Sequence, residues 1–433
     1  MRIERLEVVR LYGSFTKTVD FDPGLNLLVG INGSGKTSIL NCIEWLTKPN
    51  LARLACTQFH SISMNMEHSG KRYTIHAHRT SQLLTVEVSG GGLNGDPITV
   101  DIERPTASIR NEQEMIEALS NYSGLSAEPH EKKTWNFLRD LPEPLSVSLD
   151  RTIAAESEGE YYYEGRSVKL GLPKSPLSKV IDVTRRRYAA YTQKVKTSNE
   201  ELKSKLIVSA FTSPLLRMRD TAIPSVSVGQ LEELKSKVTA LLYSSVEVDK
   251  YGADSISQYF DEARHILSMG GKDDSIKNVF YAQYRQIHGL AEAFKGFEDK
   301  SAKAYESIGS YLDSLNSFFI ESKKHIGFNE TDGALGFQTI SKNGDPSGHF
   351  FALDRMSSGE RQLLILITFL AFISKKNHIF IVDEPELSLH PRWQRGFVSA
   401  VIAQAPVGTQ VIMATHSPEI VSKHREKCVV LDV

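Results

Sequence analysis

Eight consecutive residues, Gly30-Ile31-Asn32-Gly33-Ser34-Gly35-Lys36-Thr37, fit the phosphate-binding pattern G-x-x-x-x-G-K-[ST] at every fixed position. The apolar run Leu25, Leu27, Leu28, Val29 precedes them, and Ser38, Ile39, Leu40, Cys42, Ile43 and Leu46 follow at roughly helical spacing. A strand, a glycine loop and a helix in that order confine the chain to a small set of α/β folds. Glycines let backbone N–H groups turn inward on a pyrophosphate, and the helix N-terminus adds a favourable dipole. The expected phosphate contacts are Asn32, Gly33, Ser34, Gly35, Lys36, Thr37 and Ser38. Lys36 would reach the β- and γ-phosphates of a nucleotide, and the Thr37 hydroxyl would hold Mg²⁺.

Four further signals lie near the other end of the chain. Met356-Ser357-Ser358-Gly359-Glu360 opens a strongly apolar helix, which places Ser357, Ser358, Gly359 and Glu360 where an N-terminus donates to phosphate oxygens. Ile379-Phe380-Ile381-Val382 then runs into Asp383 and Glu384, as a buried central strand with two carboxylates at its carboxyl edge, beside the loop of the first strand. Asp383 suits Mg²⁺, directly or through water, and Glu384 is placed to orient or deprotonate an attacking water. Pro385-Glu386-Leu387-Ser388-Leu389-His390-Pro391 follows. Another apolar strand, Val411 to Ala414, ends at Thr415-His416, and His416 can address the γ-phosphate or the water.

Taken together, these segments resemble an ABC-type ATPase, with Walker A, the signature, Walker B, a D-loop and the switch histidine in sequence. Lys36 and Ser358 are 322 positions apart. That gap, Asn32 in the loop, and Asp383-Glu384-Pro385-Glu386 followed by Leu387-Ser388-Leu389-His390-Pro391 are similar to the SMC/RecF/OLD branch. The resemblance implies a P-loop head with a mixed sheet and an antiparallel hairpin subdomain, carrying a helical, short coiled-coil-like insertion. OLD nucleases continue into a TOPRIM domain, whereas Val430-Leu431-Asp432-Val433 is expected to be the last strand of a head without one. The resemblance also implies catalytic roles for Lys36, Glu384 and His416, and ATP sandwiched in a homodimer or higher oligomer. Ser358 and Gly359 of one copy would cap the γ-phosphate held by Lys36 of another. Compact heads of this kind resemble ATPase subunits of antiphage defence systems, such as AriA of PARIS and PtuA of Septu, which work with a separate effector nuclease. The other reading is a RecF-like repair or recombination ATPase acting directly on DNA. The branch's glutamine loop has two candidate places, the strand ending at Asp150-Arg151 and the one leading to Arg185.

The expected organisation is an N-terminal part of the head over 1–174, a helical insertion over 175–330 and a C-terminal part over 331–433. Tyr73 to Val88 alternates, and Gly90, Gly91, Gly92 and Asn94-Gly95 punctuate it as an antiparallel hairpin sheet would. His76 and His78 have a metal-like spacing but no carboxylate or cysteine beside them, and read as solvated strand histidines. Glu156 to Gly165, with Tyr161, Tyr162 and Tyr163, reads as an acidic and aromatic hairpin. Three apolar seams with 3,4 spacing fall on Leu231–Leu241, Phe280–Phe294 and Tyr305–Phe319, with a helix expected over 298–324.

A net charge of −1 excludes a globally basic nucleic-acid binder, so any such contact is local. Residues 174–205 carry nine basic and three acidic side chains; Arg185, Arg186 and Arg187 either form a solvated helix face or contact a DNA backbone. Three cysteines far apart argue for a reducing compartment and against a zinc hook. The longest apolar run, Leu363 to Ile373, is too short to span a bilayer and reads as a buried helix, so the expected location is the cytoplasm.

Overall fold

In the computed structural model the described residues are 1–102, 112–122, 125–147, 153–154, 175–211, 226–245, 250–268, 274–341, 344–374 and 378–431. The Asp150-Arg151 candidate for a glutamine loop and the Glu156–Gly165 hairpin lie outside them. The chain forms two compact units, Met1–Arg185 with Ser310–Val433, and Arg186–Gly309.

The first unit begins with β1 (Arg2–Leu11), β2 (Phe15–Asp20) and β3 (Leu25–Val29), then α1 (Lys36–Thr47) and α2 (Leu51–Cys56). A meander follows: β4 (Ser61–His68), β5 (Lys71–Arg79), β6 (Leu83–Gly90) and β7 (Ile98–Asp101). These strands join β1 and β2 in one antiparallel sheet of order β2-β1-β4-β5-β6-β7. The β4–β5 hairpin turns on Ser69 and Gly70, both at positive φ, which matches the twist of the flanking strands. Ile62, Met64 and Met66 are buried on alternate positions of β4, so one face of the sheet is core and the other is wet. His76 and His78 are half-buried on β5, and no group of three or more metal-ligating side chains occurs among the described residues.

Helices α3 (Glu112–Asn121) and α4 (Lys132–Asp140) lead to β8 (Leu145–Val147) and β9 (Ile153–Ala154). The helices α5 (Pro176–Phe211), α6 (Val228–Ser245), α7 (Lys250–Ser268) and α8 (Asp274–Phe319) come next. The chain then adds a hairpin, β10 (Lys324–Phe328) and β11 (Leu335–Thr339). It closes with α9 (Ser358–Thr368), β12 (Ile379–Asp383), α10 (Pro391–Gln404), β13 (Gln410–Thr415), α11 (Pro418–Val421) and β14 (Cys428–Val430).

The second sheet has the order β14-β3-β13-β12-β8-β9 and is parallel except at β9. Its central strands are apolar on both faces. On β12, Ile379 and Ile381 join the core shared with the antiparallel sheet, while Phe380 and Val382 join the core that includes Leu363, Leu364, Phe397 and Val401 of α9 and α10. Ile412 and Ala414 against Val411 and Met413 repeat the division on β13. That double burial explains why both strands read as continuous apolar runs rather than alternating ones. The run Leu363–Ile373 is buried as expected: α9 passes into a π-turn over Phe369–Ile373. No helix among the described residues is long and apolar enough to cross a membrane.

In the second unit Leu231, Leu234, Phe260, Ala263, Phe280, Tyr284 and Ala291 form a separate small core. The seams at 280–294 and 305–319 sit on one continuous helix of 46 residues, α8, instead of on separate segments. Its C-terminal end falls short of the expected 324. Lys323 adopts φ 53°, and Lys324 is already in β10.

One buried side chain stitches the two sheets of the first unit. Gln410, at the start of β13, donates to the carbonyls of Ile3 and Asp22 at 2.8 Å and accepts the Ile3 N–H at 2.8 Å. Gln410→Leu leaves the Ile3 N–H and carbonyl without that partner, while the Asp22 carbonyl keeps the Asn26 amide, and we expect a loss of about 3 kcal/mol in urea unfolding, since each orphaned group costs roughly 1–3 kcal/mol.

Candidate nucleotide site

The phosphate loop connects β3 to α1, and two features require its glycines. Gly35 caps α1 at φ 89°, and a Cβ there would run into the Phe15 ring. A Cβ at Gly30 would collide with the Ser34 hydroxyl and the Leu431 carbonyl. Either substitution forces the loop off its path. Phe15, on β2, is thus a wall of the loop that the motif itself does not announce.

Within the loop Lys36 is 4% exposed, and its ammonium donates to the carbonyls of Gly30 and Ile31 at 3.1 Å each. It lies 3.5 Å from Nδ1 of His416. Burial pulls its pKa down, and the carboxylates of Glu384, Asp383 and Glu386 oppose that shift. The Thr37 hydroxyl donates to Oδ2 of Asp383 at 2.9 Å, bringing together two groups that are 346 positions apart. Burial raises the Asp383 pKa; the Thr37 hydrogen bond offsets part of this, while Glu384 and Glu386 add to it. Oδ1 of Asp383 and the Ser34 hydroxyl are buried with no partner among the described residues.

A hydroxyl and a half-solvated carboxylate are the hard oxygen donors that Mg²⁺ prefers. The unsatisfied Asp383 oxygen and the surplus of carboxylates around Lys36 fit a site completed by a cation and a polyphosphate. Asn32, Gly33, Gly35, Lys36, Thr37 and Ser38 line a cavity of about 420 Å³ with Glu384, Glu386, Leu387 and His416. That volume is within the range of small-molecule pockets.

Glu384 occupies the left-handed region at φ 47° and ψ 56°. For a side chain with a Cβ this costs roughly 1–3 kcal/mol, a strain that concentrates at functional sites. Its N–H donates to the Ala414 carbonyl at 2.9 Å, extending the β12–β13 ladder by one step. Oε1 of Glu384 then lies 3.5 Å from Nε2 of His416. The histidine therefore stands between the loop lysine and the glutamate.

Ser357, Ser358 and Gly359 do not line this cavity. They open α9, whose N-cap Ser357 forms a capping box with Glu360. Glu360, expected among the nucleotide contacts, is instead committed within the chain. Its carboxylate accepts the Ser357 N–H at 2.8 Å and the Lys324 ammonium at 2.8 Å, and it is 5% exposed. Burial alone would raise its pKa, but Lys324 and Ser357 outweigh that and hold it below the ordinary glutamate value. Arg185, Arg186 and Arg187 are exposed on α5.

Two carboxylates near the site escaped sequence reasoning. Glu44, on α1, is pushed up by burial, lowered by the Ser146 hydroxyl and raised again by Asp383. Glu386 accepts the backbone N–H of His416. Glu386 stands in the segment after Glu384, so its position was visible, but nothing local pointed to a partner thirty residues on.

A family model described as "AAA domain" matches residues 5–237, and one described as "AAA domain, putative AbiEii toxin, Type IV TA system" matches residues 223–422. The "Retron Vc95 probable ATPase" of Vibrio cholerae serotype O1 biovar El Tor is 22% identical over 96% of this chain and 71% of its own length. The "Old nuclease" of Escherichia phage P2 is 28% identical over 39% of this chain and 35% of its own length. The "DNA replication and repair protein RecF" of Psychromonas ingrahamii is 37% identical over 17% of this chain and 20% of its own length.

The Lys324–Glu360 pair yields a pH-dependent expectation. A depressed native pKa means that ionised Glu360 stabilises the fold above the ordinary glutamate range, and that this contribution is lost as pH falls through the native value. Lys324→Met should cost about 3 kcal/mol near neutral pH, the scale of a broken buried pair. Urea unfolding should show the deficit shrinking as the pH drops towards 4 and below.

Proposed function

Because the chain belongs to the AAA-domain ATPases, in their SMC/RecF/OLD branch, we propose that it binds Mg²⁺ and ATP in the loop cavity and hydrolyses ATP between two copies of itself. The observation that carries the two-copy reading is the separation within one chain. Lys36, Thr37, Asp383, Glu384 and His416 converge, whereas Ser357, Ser358 and Gly359 do not line the same cavity. A γ-phosphate held by Lys36 then needs its cap from the Ser358 and Gly359 N–H groups of a second copy. Thr37 and Asp383 would hold Mg²⁺, which would supply neutralisation of phosphate charge. Lys36 exchanges its two carbonyl partners for β- and γ-phosphate oxygens. Glu384 orients the attacking water and accepts its proton, while His416 holds the γ-phosphate side of the cavity. Phosphate and ADP are the products.

We further propose that this turnover regulates a separate effector nuclease in bacterial antiviral defence, with the chain as scaffold and switch. The likeness over almost the whole chain to a retron ATPase supports this role, as does the resemblance of its motifs to defence ATPases. The exposed Arg185–Arg187 run and the RecF likeness favour a second reading, in which DNA is itself the partner. Stimulation of turnover by DNA, lost when the three arginines become glutamines, would select that second reading. DNA-indifferent turnover together with co-purification of a nuclease encoded by an adjacent gene would select the first.

Lys36→Ala should abolish ATP binding in a fluorescent-nucleotide titration. Glu384→Gln should keep binding, lower turnover about 10²- to 10⁴-fold, and accumulate an ATP-dependent dimer in light scattering. A Glu384→Gln chain that stays monomeric with ATP and turns over freely would overturn both the dimer and the role of Glu384.

A further inference from the structure

We propose that Glu386 is a positioning residue that holds His416 in register with Glu384, an inference that rests on the ATPase reading above. A histidine after the last residue of a parallel strand is carried by loop backbone, so its imidazole is only as well placed as its own N–H and its neighbours. Here the His416 N–H donates to Oε1 of Glu386 at 2.5 Å. Glu386 follows Glu384 by two residues, across Pro385, in a short 3₁₀ turn. The segment that bears the catalytic glutamate therefore also grips the backbone of the histidine.

The grip is itself anchored. Gln394 of α10 donates to the Leu389 carbonyl at 2.8 Å and to the Glu386 carbonyl at 3.3 Å. Its Oε1 accepts the Ser417 hydroxyl at 2.6 Å, and Ser417 in turn caps α11 through the N–H groups of Glu419 and Ile420. Residues 386 and 389 on one side and 416 and 417 on the other are thus tied twice, once through Glu386 and once through buried Gln394. Between the ties sit the 3.5 Å approach of Glu384 to Nε2 of His416 and the 3.5 Å approach of Lys36 to Nδ1. Both contacts involve the one imidazole whose backbone Glu386 holds. A shift of about 1 Å in such a group can cost on the order of a hundredfold in rate with little effect on binding.

The acceptor, not the charge, does this work, so the proposal separates Glu386→Ala from Glu386→Gln. An amide oxygen can still accept the His416 N–H; a methyl group cannot. Expected for Glu386→Ala are a loss of kcat of roughly ten- to a hundredfold and no further loss when it is added to His416→Ala. Glu386→Gln should recover most of the turnover. In the full chain, amide hydrogen exchange at His416 should accelerate in Glu386→Ala and stay slow in Glu386→Gln, a readout that needs no turnover. Equal damage from both substitutions, or losses that multiply with those of His416→Ala, would overturn the proposal. Absence of turnover in the unmodified chain would sink the ATPase reading, whereas unchanged exchange at His416 in Glu386→Ala would sink this one alone.

Discussion

Everything at the site depends on how β13 pairs with its two neighbours. Thr415 is opposite Val29 on β3, and Ala414 is opposite Asp383 on β12. That single register brings three chain segments to one sheet edge: the first residue of the phosphate loop after Val29, the carboxylate pair beginning at Asp383, and the histidine after Thr415. Because side chains alternate with a period of two, a slip of one residue would exchange the side chains of β13 between two packed cores and pull Gln410 off the Ile3 and Asp22 backbone. Ile412 and Ala414 on one side, and Val411 and Met413 on the other, make that slip expensive. The packing of a strand with no catalytic residue of its own therefore aligns the chemistry.

The charge arrangement at that edge follows from the same convergence. One ammonium, Lys36, faces Asp383, Glu384 and Glu386, and the last two disfavour ionisation of Asp383 in its partly buried setting. Such a cluster is poorly compensated by protein groups alone. Lys36 turns to main-chain carbonyls, and one oxygen each of Asp383 and Glu386 is buried without a partner among the described residues. A cation and a polyphosphate would satisfy the acceptors and free the ammonium from the loop at once. In physical terms, the site stores unsatisfied polar capacity that a nucleotide can discharge.

The loop and the Asp383–Glu384 strand were legible because their physics is local: glycine conformations, an apolar run, and carboxylates at its end. The meander over 61–101 was legible for the same reason, from alternation and glycine turns. What escaped depended on distant partners. The sequence puts Asp383 beside the loop of the first strand but leaves open the order of the strands that carry them. The sheet order puts β13 between them, and Asp383 still reaches the loop because Thr37 on α1 donates across to it. Phe15 as a wall for Gly35, and Glu386 as an acceptor for His416, carry no spacing rule at all. The sequence shows helix α8 as separate seams because its apolar faces serve two different cores: Phe280, Tyr284 and Ala291 pack in one, Leu315 and Phe319 in the other. A seam that changes partner mid-helix has no single periodicity to follow.

Glu360 shows how a residue inside the proposed signature segment can act through its neighbours within the chain. A helix leaves its first-turn N–H groups without intrahelical acceptors. The capping box on α9 satisfies two of them, those of Ser357 and Glu360. The remaining first-turn donors belong to Ser358 and Gly359, the two positions assigned to the γ-phosphate of a neighbouring copy. Glu360 would by its charge repel that phosphate, but Lys324, two residues past the 3₁₀ turn that follows α8, neutralises it. The helix end is therefore held rigid, its surplus donors are limited to two, and its net charge is compatible with an anion. Replacing Glu360 would unsettle the donors rather than remove a contact, which is why its identity is tied to Lys324 and not to the nucleotide.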